Sequence, residues 1–450
     1  MIPPKPQTAA KTGLIRMIRG FRRDLLSALP ARLYRAWMAE FRTPLIHSFV
    51  CNDPDLVAEI LRKRPADFPK SNRLREGLAP LLGNSVFVTN GQEWQHQRRI
   101  IDPAFEGGRL RDTFPAMLAA SHAAVARLRH LANGQPIDIE PETSHAAADV
   151  IFRTLFSIPI EDTTAAQVFT AFRAHQDAQP IVNLAALIPL PKWLPRPHSR
   201  RTRQTARQIR NLIETMVATR AKAITDGTAP DDLATKIMTT PDPETGQCFT
   251  PPEMVDQVAI FFLAGHETSA SSLAWALYLL ALSPEWQDRI ATEADTLPDP
   301  ISFGDLKSLP AARAVFREAL RLYPPVPMMV REATCPETFR DRPVPKGAQL
   351  VLSPWHLHRH ERLWHDPDSF DPARWDTENG KTCARNAYIP FSAGPRVCPG
   401  AGFAMAEGPL MLALIARAFH ITPGPTAPVP VARLTVRGEN GIHICLTPRN

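Results

Sequence analysis

The sequence predicts a mainly α-helical protein with small β-sheets, and three observations carry that prediction. Apolar residues recur at helical spacing through residues 111–132, 143–157, 163–178, 199–225, 251–282, 284–296 and 311–322. Strand-like pieces are short: "LIHSFVC" near 45–51, "AQLVLSP" at 348–354, and "ARLTVRG" with "GIHICLT" near the C-terminus. The third observation is the stretch 251–282, which is apolar on nearly every face. At about 1.5 Å per residue it spans roughly 45–50 Å, enough to cross a whole domain.

Residues 1–40 form a basic amphipathic lead-in, with Lys11, Arg16, Arg19, Arg22 and Arg23 among Leu, Ile and Phe. This stretch has no apolar core of a secretory signal and no spanning run. A solvated helical entry to the fold is the expectation, with peripheral contact at a membrane surface or an organellar transit role as alternatives. Residues 41–450 are expected to be one catalytic domain. The 450 residues, 44% hydrophobic and 22% charged, are those of a globular chain. The 46 prolines are scattered, which argues for rigid loops rather than a disordered tail. A net charge of +7 leaves nucleic acid, anionic lipid or an acidic protein as partners. Zinc-finger spacing, basic tracts with interleaved aromatics and a phosphate-cradling glycine loop are all missing from the sequence, which argues against nucleic acid.

The capping residues of 251–282 can be read directly. Thr250 and Glu253 make a capping box, Pro251 takes the first helical position, and Pro284 ends the helix. "HETS" lies in the middle, and Glu267 and His266 at a bilayer centre would be costly, so a buried central helix fits better than a membrane span. Gly265 costs roughly 1 kcal/mol relative to Ala. It implies either a close approach or a hydrogen-bond gap filled by polar groups. From 323 to 398 the chain is rich in Pro, Arg, Asp and Trp and reads mainly as ordered coil.

The six cysteines, Cys51, Cys248, Cys335, Cys383, Cys398 and Cys445, lie far apart, as reduced thiols would. Cys398 differs from the rest. "FSAGPRVCPG" is a turn followed by the helical pattern "AGFAMAEGPLMLALIARAF", which places this thiol at a helix mouth with Pro399 at the first helical position. The exposed amides there stabilise a thiolate, so the local chemistry is that of an activated or metal-bound sulfur.

With "AGHET" in the central helix and this loop downstream, the chain resembles the cytochrome P-450 family of haem-thiolate monooxygenases. Phe391, Gly394, Arg396, Cys398 and Gly400 fill every position of the family's haem-binding pattern. Glu318 and Arg321 match its Glu-x-x-Arg motif, and Arg374 in "FDPARW" matches the meander arginine, with Trp375 where Phe is usual. Trp94 and Arg98, one helical turn apart, resemble the Trp-x-x-x-Arg pair for one propionate. Arg331 resembles the strand arginine on the other propionate side.

The resemblance implies haem b as cofactor and the Cys398 thiolate as its axial ligand, with the Gly400 and Ala401 amides donating to sulfur. It implies that Ala264 and Gly265 make room for dioxygen while Glu267 and Thr268 deliver protons. Phe261, Phe262, Val326, Met328, Met329 and Leu434 are the expected substrate pocket, with "IVNLAALIPLPKW" as an apolar lid. A lipophilic substrate follows, such as a fatty acid, alkane, terpenoid or steroid. Arg73, Arg75 or Asn183 are possible anchors for a carboxylate. Electrons are expected from a ferredoxin or flavodoxin with its NAD(P)H reductase, serving a soluble, cytoplasmic monomer of bacterial type. Two alternatives stay open, a haem-thiolate peroxygenase or isomerase and a non-catalytic haem-thiolate sensor.

Overall fold

The computed structural model describes residues 1–6, 24–42, 47–178, 198–432 and 434–449. The basic stretch from Lys11 to Arg23 and the expected lid with Asn183 lie outside these residues. In chain order the helices are α1 (Pro54–Ala58), α2 (Asn72–Leu82), α3 (Gly91–Ile101), α4 (Gly107–Arg129), α5 (Glu140–Phe156), α6 (Thr163–Ala178) and α7 (Arg200–Thr225). They continue with α8 (Leu233–Thr239), α9 (Pro251–Ala281), α10 (Pro284–Asp295), α11 (Pro310–Leu322), α12 (Pro354–Leu357), α13 (Glu378–Asn386) and α14 (Ala401–Ala418). Each of the seven helices read from periodicity is present; 163–178 has the bounds read, and the others differ by one to four residues at an end. The described residues form two compact units. One comprises Met1–Pro69, Ser121–Ser144 and Thr268–Asn450, and the other Lys70–Ala120 and His145–Glu267.

In the first unit a four-stranded sheet has the order β1 (Met38–Arg42), β2 (His47–Cys51), β7 (Gln349–Leu352), β4 (Met329–Glu332). β2 and β7 run parallel, and β4 is antiparallel to β7 with Arg331 opposite Leu350. Between them lies the small hairpin of β5 (Glu337–Phe339) and β6 (Arg342–Val344). Phe49, Leu350, Leu352, Leu357 and Trp364 bury one face of this region. A second sheet joins β3 (Pro136–Asp138), β11 (His443–Pro448) and β8 (Phe419–Pro423), and β9 (Pro430–Ala432) pairs with β10 (Val436–Gly438). The segment 323–398, expected to be mainly coil, thus holds β4 to β7, α12 and α13. Strands of three or four residues are too short to show a period of two.

The N-terminal residues belong to this unit too. The Tyr323 hydroxyl donates to the Pro4 carbonyl at 2.6 Å, and the Phe370 amide donates to the Met1 carbonyl at 2.9 Å. Among the described residues α14 is the one helix long and apolar enough to cross a membrane, and 67% of it is buried inside the protein.

In the second unit α6 packs on α7, and α2 also contacts α7. Phe152, Phe156 and Phe172 surround Phe262, with ring centroids 4.5–6.2 Å apart. Asp242 is fully buried in this unit and accepts from Arg99 and His96 at 2.6 Å each, so that these hydrogen bonds hold its carboxyl far below the usual range.

Helix α9 starts as its sequence predicts. The Thr250 amide donates to Glu253 Oε2 at 2.9 Å, the reciprocal half of a capping box, while the Thr250 hydroxyl donates to the same oxygen at 2.7 Å. Its C-terminal half is anchored within the first unit. Trp275 stacks on Tyr323 with centroids 3.8 Å apart, and Trp275 Nε1 and Ser271 Oγ both donate to the Val436 carbonyl.

Candidate functional site

The cysteine loop is built by backbone geometry. The Cys398 amide donates to the Phe391 carbonyl at 2.9 Å, closing the loop on itself. Ser392 and Gly394 have φ of 65° and 69°. At Gly394 a methyl group would lie 1.9 Å from the Leu61 carbonyl oxygen, so only glycine fits both the torsion and the space. The Cys398 thiol is exposed. Two details differ from expectation. Helix α14 begins at Ala401 with Gly400 as its N-cap, which leaves Pro399 one residue before the cap rather than at the first helical position. The Ala401 amide donates to the Cys398 carbonyl at 3.3 Å instead of to sulfur. The turn that precedes the helix takes this donor first.

Arg331 is 5% exposed, and burial lowers its pKa to about 10. Its described hydrogen bond is to the neighbouring Val330 carbonyl at 3.1 Å, and no carboxylate pairs with it among the described residues. A buried guanidinium in that state needs an anion to offset its desolvation. A haem propionate would supply one, and the thiol at a helix start would supply an iron ligand, so these residues fit haem b. In the other unit, Trp94 and Arg98 both lie on α3, where Arg98 pairs with Asp102 at 2.7 Å.

The centre of α9 alternates in exposure. Ala264 is exposed, although it lies in an apolar helix, whereas His266 and Glu267 are 3% and 2% exposed. Gly265 resolves the ambiguity left by the sequence: a methyl there would lie 2.3 Å from Ile151 Cδ1, so the glycine admits close approach by α5. Thr268 is half-buried, and Ser272 Oγ donates to its carbonyl at 2.7 Å. Glu267 accepts a hydrogen bond from Gln176 Nε2, and His266 Nδ1 lies 3.8 Å from Glu267 Oε1.

The expected substrate residues divide. Phe262 is 3% exposed inside the aromatic core, so it is packing and not pocket. Phe261 is half-buried beside Phe105 at 5.7 Å. Met328 and Met329 are both half-buried but pack against different clusters, one with Leu29 and Val50, the other with Phe49 and Leu352. Adjacent residues of an extended chain point to opposite faces, so these two do not share one lining. Val326 is half-buried, and Leu434 is 43% exposed. Arg75 is tied to Asn84 Oδ1, and Arg73 is half-buried.

Glu318, Arg321 and Arg374 meet in one network. Glu318 accepts from Arg321 Nε at 2.9 Å, Arg321 Nη2 at 2.8 Å, Arg374 Nε at 2.9 Å and the Asp371 amide at 3.1 Å. Glu318 and Arg321 are 0% exposed, and Arg374 is 4% exposed.

Two residues escaped the sequence reading. Gln176 is 91 positions from Glu267, and nothing in "AHQDAQ" signals the contact. Glu407 was legible as the one acid within the apolar run of α14. It is 4% exposed, Ser269 Oγ donates to its Oε2 at 3.2 Å, and burial pushes its carboxyl up to about 8.

The family model for cytochrome P450 matches residues 37–446. The chain is 33% identical to a cyclooctat-9-en-7-ol 5-monooxygenase of Streptomyces melanosporofaciens over 89% of this chain and 85% of that one. It is 28% identical to human cytochrome P450 4F2 over 92% of this chain and 83% of that one. Among solved structures, the haem domain of a cytochrome P450DA mutant superposes with a TM-score of 0.80 at 25% identity, covering 100% of this chain and 98% of the other. The chain belongs to the cytochrome P450 family: it is a haem-thiolate monooxygenase with haem b as cofactor, a redox partner as electron source and a lipophilic molecule as substrate.

Proposed function

We propose that Cys398 holds the haem iron, that Arg331, Trp94 and Arg98 hold the propionates, and that Glu267 and Thr268 carry protons to the reacting face. The observation that carries this reading is the closed loop from Phe391 to Cys398, which leaves one exposed thiol at the start of α14. When bound, haem b supplies the redox chemistry that activates dioxygen. The protein supplies the thiolate, the buried cation and a route for protons. A titratable carboxyl at Glu267 and a hydroxyl that both donates and accepts at Thr268 form such a route. Ala264, small and exposed on the same helix, leaves space beside them.

The substrate is a largely hydrocarbon molecule. Phe261, Val326, Leu434 and one of the two methionines present apolar surface, and the Streptomyces relative is named for a reaction on cyclooctat-9-en-7-ol. Residues 41–450 act as one catalytic domain. The electron donor is an acidic ferredoxin or flavodoxin with its NAD(P)H reductase, matched to the net charge of +7, and the enzyme works as a cytoplasmic monomer. The deciding experiment is the ferrous carbon monoxide spectrum. Wild type shows the far-red-shifted Soret band of thiolate ligation, and Cys398→Ala loses it. If the band persists in Cys398→Ala, another residue is the ligand.

A further inference from the structure

Glu267 is contacted from outside its own helix. Helix α6 reaches it through Gln176, whose Nε2 donates to Glu267 Oε1. The end of α6 that carries Gln176 is itself fixed. The preceding residue, His175, is 1% exposed, and its Nδ1 lies 2.7 Å from Thr205 Oγ1 on α7. His266, beside Glu267 in sequence, is packed edge-on against Phe169 of α6, with centroids 5.5 Å apart, and Phe169 in turn meets His145 of α5 at 5.9 Å. The His266 nitrogen, at 3.8 Å, is too far from the carboxylate for a hydrogen bond. Gln176, by contrast, donates to the carboxylate directly from α6.

From this contact we infer that Gln176 is a positioning residue for proton delivery, holding the Glu267 carboxyl in the orientation from which it passes protons. The inference rests on the proposed role of Glu267. The residue type matters. An arginine or lysine at this point would favour the ionised carboxylate and hinder its protonation. A carboxamide donates a hydrogen bond without adding a charge, so it fixes direction and leaves the carboxyl able to take up and release a proton. Gln176 touches neither cofactor nor substrate in this scheme; it acts through Glu267.

The test needs no identified substrate. Holoenzyme, a bacterial ferredoxin and its NADPH reductase consume dioxygen by two routes. One uses two electrons and two protons to give hydrogen peroxide, and the other uses four electrons and four protons to give two waters. Proton delivery favours the second route, so peroxide released per NADPH consumed reports on it. General acid–base groups contribute about 10²-fold at the low end, so mispositioning one should lower the water-to-peroxide flux ratio by about tenfold.

Gln176→Leu is expected to raise peroxide per NADPH, Glu267→Gln to raise it further, and the double variant to match Glu267→Gln alone. A readout independent of turnover accompanies these. Hydrogen exchange in the peptide covering 163–178 should quicken in Gln176→Leu but not in Glu267→Gln, which keeps an acceptor oxygen. Gln176→Met serves as a second variant if Gln176→Leu loads haem poorly.

If Glu267→Gln raises peroxide while Gln176→Leu and Gln176→Met do not, the positioning role is overturned and the role of Glu267 stands. An additive double variant also overturns it, since Gln176 would then act by another path. If neither position changes the peroxide yield, the assignment of Glu267 itself fails.

Discussion

Glu318→Ala tests how the fold supports the cysteine loop. The wild-type carboxylate accepts four hydrogen bonds at 2.8–3.1 Å, three of them from two guanidinium groups that are almost wholly buried. Removing it leaves both cations in the interior. They retain backbone partners: Arg321 donates to the carbonyls of His358, Pro367 and Ser369, and Arg374 to those of His365, Asp366 and Ser369. Those carbonyls supply dipoles but no countercharge. Breaking one side of a buried pair typically costs about 3–5 kcal/mol. Folded proteins hold only about 5–15 kcal/mol in total, so a large share of the stability is at risk. The variant should express with less haem per chain, and its thermal midpoint should fall by at least about 5 °C. Haem absorbance per protein and scanning calorimetry measure both. Glu318→Gln keeps the shape but removes the charge, and it should lie between the two. Full haem content and an unchanged midpoint in Glu318→Ala would refute the claim that this network holds the 365–374 segment in place.

Thr268→Ala should keep the ligand-induced spectral shift and NADPH consumption while yielding much less oxygenated product; each tenfold loss of coupling corresponds to roughly 1.4 kcal/mol between the two branches. Unchanged coupling would mean protons reach the site without this hydroxyl. His356 and His358 are held neutral, since burial first and nearby Arg359 and Arg321 second push each to about 3, against 6.5 for an exposed imidazole. The folded pKa is depressed, so their contribution is complete above about pH 6.5 and is lost as pH falls, because only the unfolded chain takes up the protons. At pH 5 the pair should cost about 4 kcal/mol. Urea midpoints at pH 7 and pH 5 check this, and equal midpoints would contradict it. Apparent affinity for an acidic ferredoxin should weaken steadily with salt, since exposed charges are screened over about 8–10 Å. A salt-independent affinity would rule out electrostatic docking.

The sequence by itself determined the family and supplied the motif residues on which the proposed chemistry rests. A thiol between a glycine turn and an apolar helix, an acid and alcohol inside a long buried helix, and Glu318 and Arg321 three apart are local patterns, and local patterns survive in one dimension. The long helices were legible for the same reason, because 3.6-residue periodicity accumulates over about a dozen or more residues. The short strands between Met329 and Leu352 offer three or four residues each and left no comparable signal.

What only the tertiary structure decided were the questions that depend on which side a residue faces and who its distant neighbour is. Gly265 proved to admit Ile151 of α5, and Phe262 proved to be aromatic core, because one step along a helix turns a side chain by about 100° and periodicity does not say which helix it will meet. Met328 and Met329 separated for the corresponding reason in an extended chain. Arg331 became a demand for an anion only once it was seen buried with no carboxylate paired to it among the described residues. Gln176 reached Glu267 across 91 residues, a contact made by the packing of α6 and therefore written nowhere in the neighbouring sequence.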